Sequence, residues 1–273
     1  MNNFLQRTLS GLSFVVIVVG SILISPYTFA FVFVIITAWT VYEFHKLTNS
    51  QGQIDVNPIL AIAGSVILFL ISFFFASSDL LQHLVYSVYG FYVMMVLVFE
   101  LYRKKKNPLH NWAYFLLGQV FIALPFSLLN YILYIDKTFH PWLLIAMFAT
   151  IWLYDTGAYL VGVAIGKHKM FERISPKKTW EGFAGGALVA LIVGYVCSIF
   201  ITDISLVSWL FFALIVVIFS TFGDLMESLM KRTIHVKDSG NVIPGHGGLL
   251  DRFDSMLMVA PAIVIYLSFL FFR

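Results

Sequence analysis

Charged residues are scarce in this sequence: Asp, Glu, Lys and Arg make up 11% of its 273 residues, whereas soluble domains contain about 25%. So few charges cannot cover a surface that faces water, which excludes an ordinary soluble globular domain. Cysteine is scarcer still. The one copy, Cys197, lies in an apolar run, which excludes a disulfide framework and a thiolate metal site. We expect it to pack as a small apolar side chain.

Apolar residues are abundant instead: 60% of the chain is hydrophobic, 17% is aromatic, and the mean hydropathy is +0.90. A helix that spans a bilayer needs about 20 mainly apolar residues. Nine stretches qualify as candidates: 9–25, 27–44, 58–76, 80–101, 112–134, 141–164, 182–201, 206–227 and 255–272. Open sheet edges cannot be satisfied in hydrocarbon, so no strands are expected in the core. We predict an all-α integral membrane protein with about nine transmembrane helices, in a single polytopic domain over residues 1–273.

Lys and Arg residues are distributed unevenly between the predicted loops. All but two of the 17 lie on the N-terminal side or on every second loop after it, and the exceptions are Lys137 and Arg273. Cytoplasmic loops carry the excess of Lys and Arg, so the N-terminus is predicted to be cytoplasmic. The basic run Arg103–Lys106 either sets this topology or binds anionic lipid headgroups. The two long loops, 166–181 and 228–254, fall on the cytoplasmic side, where we expect the function to lie.

Carboxylates in two of the spans are candidates for function. Asp155 lies in the middle of the sixth span, where a charge costs about 2.5 kcal/mol or more; it is expected to face a polar cavity or a cation, unless hydroxyls such as that of Thr156 satisfy it. Asp224 and Glu227 share one face near the end of the eighth span, with Ser228 beside them. This face either binds a cation or is a helix end closed by salt bridges to Lys231 and Arg232.

The loop from Lys237 to Asp254 combines glycine, basic and acidic residues. Gly245, Gly247 and Gly248 allow backbone amides to turn toward an anion. Lys237 and Arg252 can neutralise phosphates, while Asp251 and Asp254 can hold a divalent metal, a combination that phosphoryl and nucleotidyl transfer require. His246 is either a loop histidine with a satisfied hydrogen bond or a proton-transfer group.

The segment 175–182 is predicted to open the seventh helix. Ser175 would be its N-cap and Pro176 its first residue. Lys177 and Lys178 would then lie at a helix start that favours anions, where they either grip a polyphosphate or set topology. Gly182 and its neighbouring glycines let helices approach closely.

The chain resembles the phosphatidate cytidylyltransferase family, also called CDP-diacylglycerol synthases. The resemblance lies in Ser228–Arg232, Lys237-Asp238 and Pro244–Asp254, without a departure from the family signature. Asp155–Tyr159, Ser175–Gly182 and Phe222–Leu225 are similar to other blocks of that family, in the same order. The resemblance is strong from about residue 150 onward. Residues 141–273 are therefore predicted to carry catalysis, whereas 1–140 form helices without a motif.

The resemblance implies an integral membrane enzyme that transfers CMP from CTP to phosphatidic acid, giving CDP-diacylglycerol and pyrophosphate. It implies Mg²⁺, and allows a monovalent cation such as K⁺ beside it. The residues that it implies fall into three groups: catalytic Asp224, Asp251, Lys231 and Arg252; metal ligands Asp224 and Asp251, with Asp155 and Glu227 as weaker candidates; and substrate-binding Lys177, Lys178, Ser228, Arg232, Lys237, Gly245, His246, Gly247 and Gly248.

Two other functions are weighed against this one. A proton-coupled transporter would also place carboxylates in the membrane, but the external half of the chain is nearly free of charge. A CDP-alcohol phosphotransferase would show a paired-Asp signature that is absent here. We expect a multi-pass protein of the bacterial inner membrane whose active site faces the cytoplasm and which binds no nucleic acid. The oligomeric state stays open, with a homodimer as one alternative.

Overall fold

The computed structural model describes residues 3–77, 82–240, 242 and 247–271, which are almost entirely helical. The helices are α1 (Asn3–Ile24), α2 (Pro26–Asn49), α3 (Pro58–Ala76), α4 (Gln82–Arg103), α5 (Pro108–Gly118), α6 (Leu124–Leu133), α7 (Pro141–Ile165), α8 (Trp180–Phe200), α9 (Leu206–Thr233) and α10 (Leu250–Phe271). A five-residue π-helix, Gln119–Ala123, joins α5 to α6. Two short strands, β1 (Lys169–Phe171) and β2 (Ser175–Thr179), pair antiparallel between α7 and α8.

Proline and polar caps explain why several helices begin where they do. α2, α3, α5 and α7 each start at a proline, whose fixed φ suits the first helical position and whose missing amide has no partner to lose there. Ser25 and Thr28 form a capping box at α2. Asn57 caps α3 by accepting hydrogen bonds from two amides of its first turn.

Among the described residues, seven helices are long and apolar enough to cross a membrane: α2, α3, the α5–π–α6 stretch, α7, α8, α9 and α10. Within α1, the shorter stretch Thr8–Ile24 is apolar. The all-α membrane class is therefore confirmed. The count of nine spans and their orientation stay predictions.

The chain divides into two compact units. The first comprises Met1–Phe139 with Asp238–Phe253, and the second comprises His140–Lys237 with Asp254–Arg273. In the first unit α2 packs on α1 and α3, and α3 packs on α6. The ring of Phe253, which is 1% exposed, makes edge contacts with Phe14, Phe33 and Phe126. This aromatic cluster fixes the start of α10 in the first unit.

The π-helix is a polar point in the first unit. Gln119 is buried there, donates to the carbonyl oxygen of Ala61 at 3.0 Å and accepts from the Tyr89 hydroxyl at 2.9 Å. π-helix turns and prolines are both known causes of kinks in helices, and Pro125 follows within α6. The predicted fifth span is thus a helix with an internal change of pitch.

The basic run Arg103–Lys106 is partly neutralised within the first unit. Arg103 pairs with Glu100 at 2.8 Å and with Asp55 at 3.0 Å, and it donates to the Asp55 carbonyl at 2.6 Å. Lys105 also pairs with Asp55. At least two of its four basic side chains therefore connect α4 to the loop before α3. Because these two are already paired with carboxylates, they are less available to bind lipid headgroups.

The second unit is built around α8. Its buried face is made of small residues, Gly182, Gly186, Ala190 and Gly194, and it packs on both α7 and α9. Residues of this size let helix backbones approach closely in a membrane, as the sequence predicted for Gly182. Tyr154 crosses the unit and shares a hydrogen bond of 2.6 Å with Thr221.

The predicted start of the seventh helix is wrong. Ser175 and Pro176 lie on strand β2, and the N-cap is Thr179, whose hydroxyl accepts from the amide of Gly182 at 3.1 Å. The reason is a contact that is distant in sequence. Glu181 accepts from the amide of Lys167 at 3.1 Å and contacts the His168 ring at 2.5 Å, which closes the hairpin and leaves the helix to begin at Trp180.

Candidate active site

Asp224, on the buried-to-exposed boundary of α9, is held by two side chains of the second unit. The hydroxyl of Ser228, one turn later, donates to its Oδ1 at 3.1 Å. Lys178 places its Nζ 2.8 Å from Oδ2 and also donates to the Thr221 carbonyl at 3.4 Å. The hairpin therefore brings a predicted phosphate-binding lysine to a predicted metal ligand.

Three aspartates of the second unit form an acidic cluster: Asp155 on α7, Asp224 on α9 and Asp254 on α10. Their carboxylates are near enough to repel one another. Gly223 makes the approach of α9 and α10 possible, because a Cβ there would lie 2.5 Å from the carbonyl oxygen of Asp254. We call these three residues the aspartate cluster.

Asp155 lies in the middle of α7, where its carboxylate interacts with the Ser220 hydroxyl. The alternative was that hydroxyls such as that of Thr156 satisfy it. That hydroxyl instead donates to the Trp152 carbonyl at 2.7 Å, within its own helix. Thr156 therefore does not satisfy Asp155, whose carboxylate also interacts electrostatically with Asp224 and Lys178.

Glu227 has a different environment from the aspartate cluster. It is 0% exposed and lies 2.5 Å from Lys231, one turn later on α9. Removing either partner would leave a buried charge uncompensated. For this pair the salt-bridged interpretation of the helix end is confirmed.

The aspartate cluster suits a hard cation by its chemistry. Its donors are carboxylate oxygens, which Mg²⁺ prefers; Lys178 contacts Asp224, and Lys231 acts electrostatically on Asp254. Across the described part of the chain, no group of three or more His, Cys, Asp or Glu side chains converges to hold an ion by itself. Mg²⁺ does not need such a cage, because it is usually bound through one or two carboxylates together with water and substrate phosphates.

Asp251 lies in the first unit, in the first turn of α10, and organises the preceding loop. Its carboxylate accepts from the Ser239 amide at 2.9 Å, from the Ser239 hydroxyl at 2.9 Å and from the Gly248 amide at 2.8 Å. Gly247 adopts a positive φ of 80° between them. The Gly248 amide predicted to face a phosphate is therefore engaged by Asp251 in this structure.

The remaining predicted residues fall into two groups. Gly245 and His246 lie outside the described residues. Lys177 is exposed on β2, Arg232 at the end of α9, Lys237 in the following loop and Arg252 on α10. Lys177, Arg232 and Lys237 belong to the second unit, and Arg252 to the first.

Sequence reasoning missed Glu43, and it named Asp254 as able to hold a metal without including it among the ligands that the resemblance implies. Glu43 is 2% exposed, near the end of α2, and accepts from the amide of Leu250 at 2.9 Å. One sequence signal does indicate Glu43, because it is a carboxylate within a predicted span, as Asp155 is. The N-terminal helices carry no recognisable motif that would assign it a role.

Comparison with known proteins shows what the chain is similar to. Over 122 residues it is 49% identical to a phosphatidate cytidylyltransferase of Staphylococcus saprophyticus, covering 44% of this chain and 46% of the relative. Identity to the phosphatidate cytidylyltransferase of Bacillus subtilis is 37% over 179 residues, 65% of this chain and 66% of the relative. For that of Staphylococcus aureus it is 38% over 183 residues, 63% and 65%.

These alignments span between 46% and 66% of the relatives' own lengths. The family match is longer: the model of the cytidylyltransferase family covers residues 5–270. It takes in the aspartate cluster, the hairpin and the loop around Asp251, together with the helices that hold them. The protein therefore belongs to the cytidylyltransferase family.

Proposed function

We propose that this protein is a phosphatidate cytidylyltransferase, which transfers CMP from CTP to phosphatidic acid and releases CDP-diacylglycerol and pyrophosphate in phospholipid biosynthesis. The observation that carries the proposal is the family match over residues 5–270, supported by the names of the relatives. A nucleotidyl transfer to a membrane lipid also fits a chain made largely of apolar helices with its charged side chains collected in a few places.

The reaction needs little proton chemistry from the protein. An oxygen of the lipid phosphate attacks the α-phosphorus of CTP in line, the bond to the β-phosphate breaks, and pyrophosphate leaves with those electrons. A phosphate monoester already carries between one and two negative charges near neutral pH, so no strong base is required. The main task is to offset repulsion between two anions and to stabilise the charge on the transferring group.

The residues divide this task by charge. Lys178 is held beside Asp224 at 2.8 Å, so it can neutralise a phosphate that approaches the aspartate cluster. Arg232, Lys237 and Arg252 are exposed and are proposed to bind phosphates of CTP or of the lipid. Lys231, Lys177, Ser228 and the backbone of Gly247 and Gly248 are proposed to assist.

Mg²⁺ is the proposed cofactor, with a monovalent ion such as K⁺ as an addition. Asp224 is the proposed ligand in the second unit, with Asp155 as a weaker one, and Asp251 is the ligand that the family resemblance implies in the first. When bound, Mg²⁺ would polarise phosphate oxygens and offset their charge. Glu227, which is paired with Lys231, is a poorer candidate than the aspartates.

The proposal includes a location. We propose that the chain crosses the bacterial inner membrane nine times, with its N-terminus and active site in the cytoplasm, where CTP is available. The distribution of Lys and Arg between loops supports this orientation. A homodimer is proposed as the assembly to examine first.

The test is release of pyrophosphate from CTP by purified protein in detergent with Mg²⁺, with and without phosphatidic acid. We expect lipid-dependent release, with CDP-diacylglycerol formed in equal amount. Asp224→Asn should abolish it, whereas Asp203→Asn, in the exposed loop before α9, should not. Absence of release from folded wild-type protein across Mg²⁺ and K⁺ concentrations would refute the proposal and direct attention to transport.

A further inference from the structure

Glu43 joins the motif-free helices to the loop that carries the family signature. Its side chain is 2% exposed. Its Oε2 accepts from the Leu250 amide, at the start of α10, at 2.9 Å, and from the Ser239 hydroxyl at 3.4 Å. Glu43, Ser239 and Leu250 all belong to the first unit, so a carboxylate of α2 contacts both described ends of the loop.

The loop backbone is shaped to fit this carboxylate. A Cβ on Gly240 would lie 2.6 Å from Oε1 of Glu43, and one on Gly248 would lie 2.5 Å from Oε2. Real Cβ atoms do not approach a neighbour so closely, and the carboxyl group is buried, so it cannot swing away without losing its hydrogen bonds. Contact with Glu43 thus explains glycine at position 240, and at position 248 it acts together with the Ser239 hydroxyl, which lies even closer to the same Cβ position.

The same loop residues hold Asp251. The Ser239 hydroxyl lies between the two carboxylates, 2.9 Å from Asp251 and 3.4 Å from Glu43. The amides of Ser239 and Gly248 also donate to Asp251. Loosening the loop at Glu43 would therefore disturb the groups that orient Asp251.

The burial of Glu43 calls for such a role. An ionised carboxylate taken out of water is costly unless it is well hydrogen-bonded. Glu100, the other buried glutamate of the first unit with a described partner, is satisfied by Arg103 at 2.8 Å and Asn111 at 2.6 Å. Glu43 has no such cation among its described hydrogen-bond partners, which are Trp39 on its own helix and, in the signature loop, Ser239 and Leu250.

We propose that Glu43 is a positioning residue, which anchors Ser239 and Leu250 and thereby holds Asp251 and the backbone of Gly248 in place for the reacting phosphates. The catalytic part of this inference rests on the proposed function. The anchoring of the loop does not, and it can be measured in a protein without turnover.

The first experiment is hydrogen exchange on the full chain in detergent, read by mass spectrometry. Glu43→Ala should speed exchange in peptides that cover Ser239, Gly248 and Leu250, while peptides from α7 to α9 stay as in the wild type. Glu100→Gln, which alters a buried glutamate elsewhere in the first unit, should leave the loop unchanged. Unaltered loop exchange in Glu43→Ala would overturn the proposal, whether or not the wild type is active.

Kinetics supply the second readout. Glu43→Ala should lower kcat/KM for CTP at least about tenfold, the effect typical of losing a hydrogen bond to a buried charge. Glu43→Gln should retain part of the wild-type kcat/KM, because the amide oxygen can still accept a hydrogen bond from the Leu250 amide. Equal losses in the two variants would show that the hydrogen bond has no positioning role.

A double-mutant cycle tests the contact itself. Gly240→Ala should impair loop protection and activity in the wild type but have no further effect in the Glu43→Ala background, where the obstructing carboxyl is gone. Gly90→Ala, at a position where a Cβ meets nothing within 4 Å, should be harmless in both. If Gly240→Ala does equal damage in both backgrounds, the coupling is absent and the proposal fails.

Discussion

Lys177 and Lys178 are adjacent in sequence, yet the structure predicts that their replacement has unequal effects. On a strand, successive side chains point to opposite sides. Lys178 contacts Asp224 at 2.8 Å, and the side chains of the two are 24% and 34% exposed, whereas Lys177 is exposed. Lys178→Gln removes the cation nearest to the aspartate cluster, so that the phosphates of CTP would approach a site with more uncompensated negative charge.

The size of the effect follows from this partial exposure. A hydrogen bond to a charged group contributes about 1.5–3 kcal/mol and a surface ion pair about 0–1 kcal/mol, so the partly exposed pair of Lys178 and Asp224 is expected to contribute about 1–2 kcal/mol. That corresponds to about a five- to thirtyfold loss of kcat/KM. Lys177→Gln should lower kcat/KM less than about threefold.

The assay is lipid-dependent release of pyrophosphate, measured over a range of CTP concentrations for both variants. Lys169→Gln, on the neighbouring strand β1 and exposed, controls for the general loss of a positive charge from the hairpin. Lys178→Arg should restore part of the activity. Equal losses in Lys177→Gln and Lys178→Gln would refute the reasoning from strand geometry.

Three further predictions concern stability and topology. Contacts with Lys105 and Arg103 lower the pKa of Asp55 below its usual value. Its contribution to folding stability is therefore present at neutral pH and is lost as the pH falls through that lowered pKa. Asp55→Asn should lower stability by less than about 1 kcal/mol at pH 7, and the difference in melting temperature between variant and wild type should narrow below about pH 4. Gly223→Ala should lower the free energy of unfolding by about 1–3 kcal/mol through overpacking. Gly20→Ala, whose added Cβ meets nothing within 4 Å, should be neutral or stabilising. Equal denaturation curves for the two variants would contradict the close approach of α9 and α10 at Gly223. A cysteine replacing Lys104 should react with an impermeant thiol reagent only from the cytoplasmic side, and labelling from outside would overturn the orientation.

The helices were largely predictable because their signals are local. Apolar stretches with proline at the first position predicted 58–76 and 141–164, and the observed helices are Pro58–Ala76 and Pro141–Ile165. α9 runs six residues beyond its predicted end, since polar residues at a membrane surface can continue a helix that apolar residues began. Hydropathy alone cannot place that end.

The hairpin was not predictable in the same way. The segment 175–182 contains two acceptable N-caps, Ser175 and Thr179, and local rules favoured the one followed by proline. Glu181 decides between them by accepting from the backbone of Lys167 and His168, 14 and 13 residues earlier in the chain. A contact at that distance leaves no periodic trace in the sequence.

The signature itself illustrates the limit of linear reasoning about the site. Residues 228–254 form one motif in sequence, yet residues up to Lys237 and Asp254 belong to the second unit, while Asp238–Phe253 belong to the first. Asp251 and Asp254, three residues apart, therefore have different surroundings. Asp251 accepts hydrogen bonds from Ser239 and Gly248, whereas Asp254 interacts with the like charges of Asp155 and Asp224.

These surroundings imply different chemical roles for the two residues. Hydrogen bonds from amides and a hydroxyl compensate much of the charge of a carboxylate, so Asp251 has less need of a cation and its first effect is to order the loop. A carboxylate among like charges gains most from a cation. Replacing Asp251 should thus alter the loop even without metal, while replacing Asp254 should chiefly alter the response to metal. The family signature is consistent with both roles, and only the contacts of each residue distinguish between them.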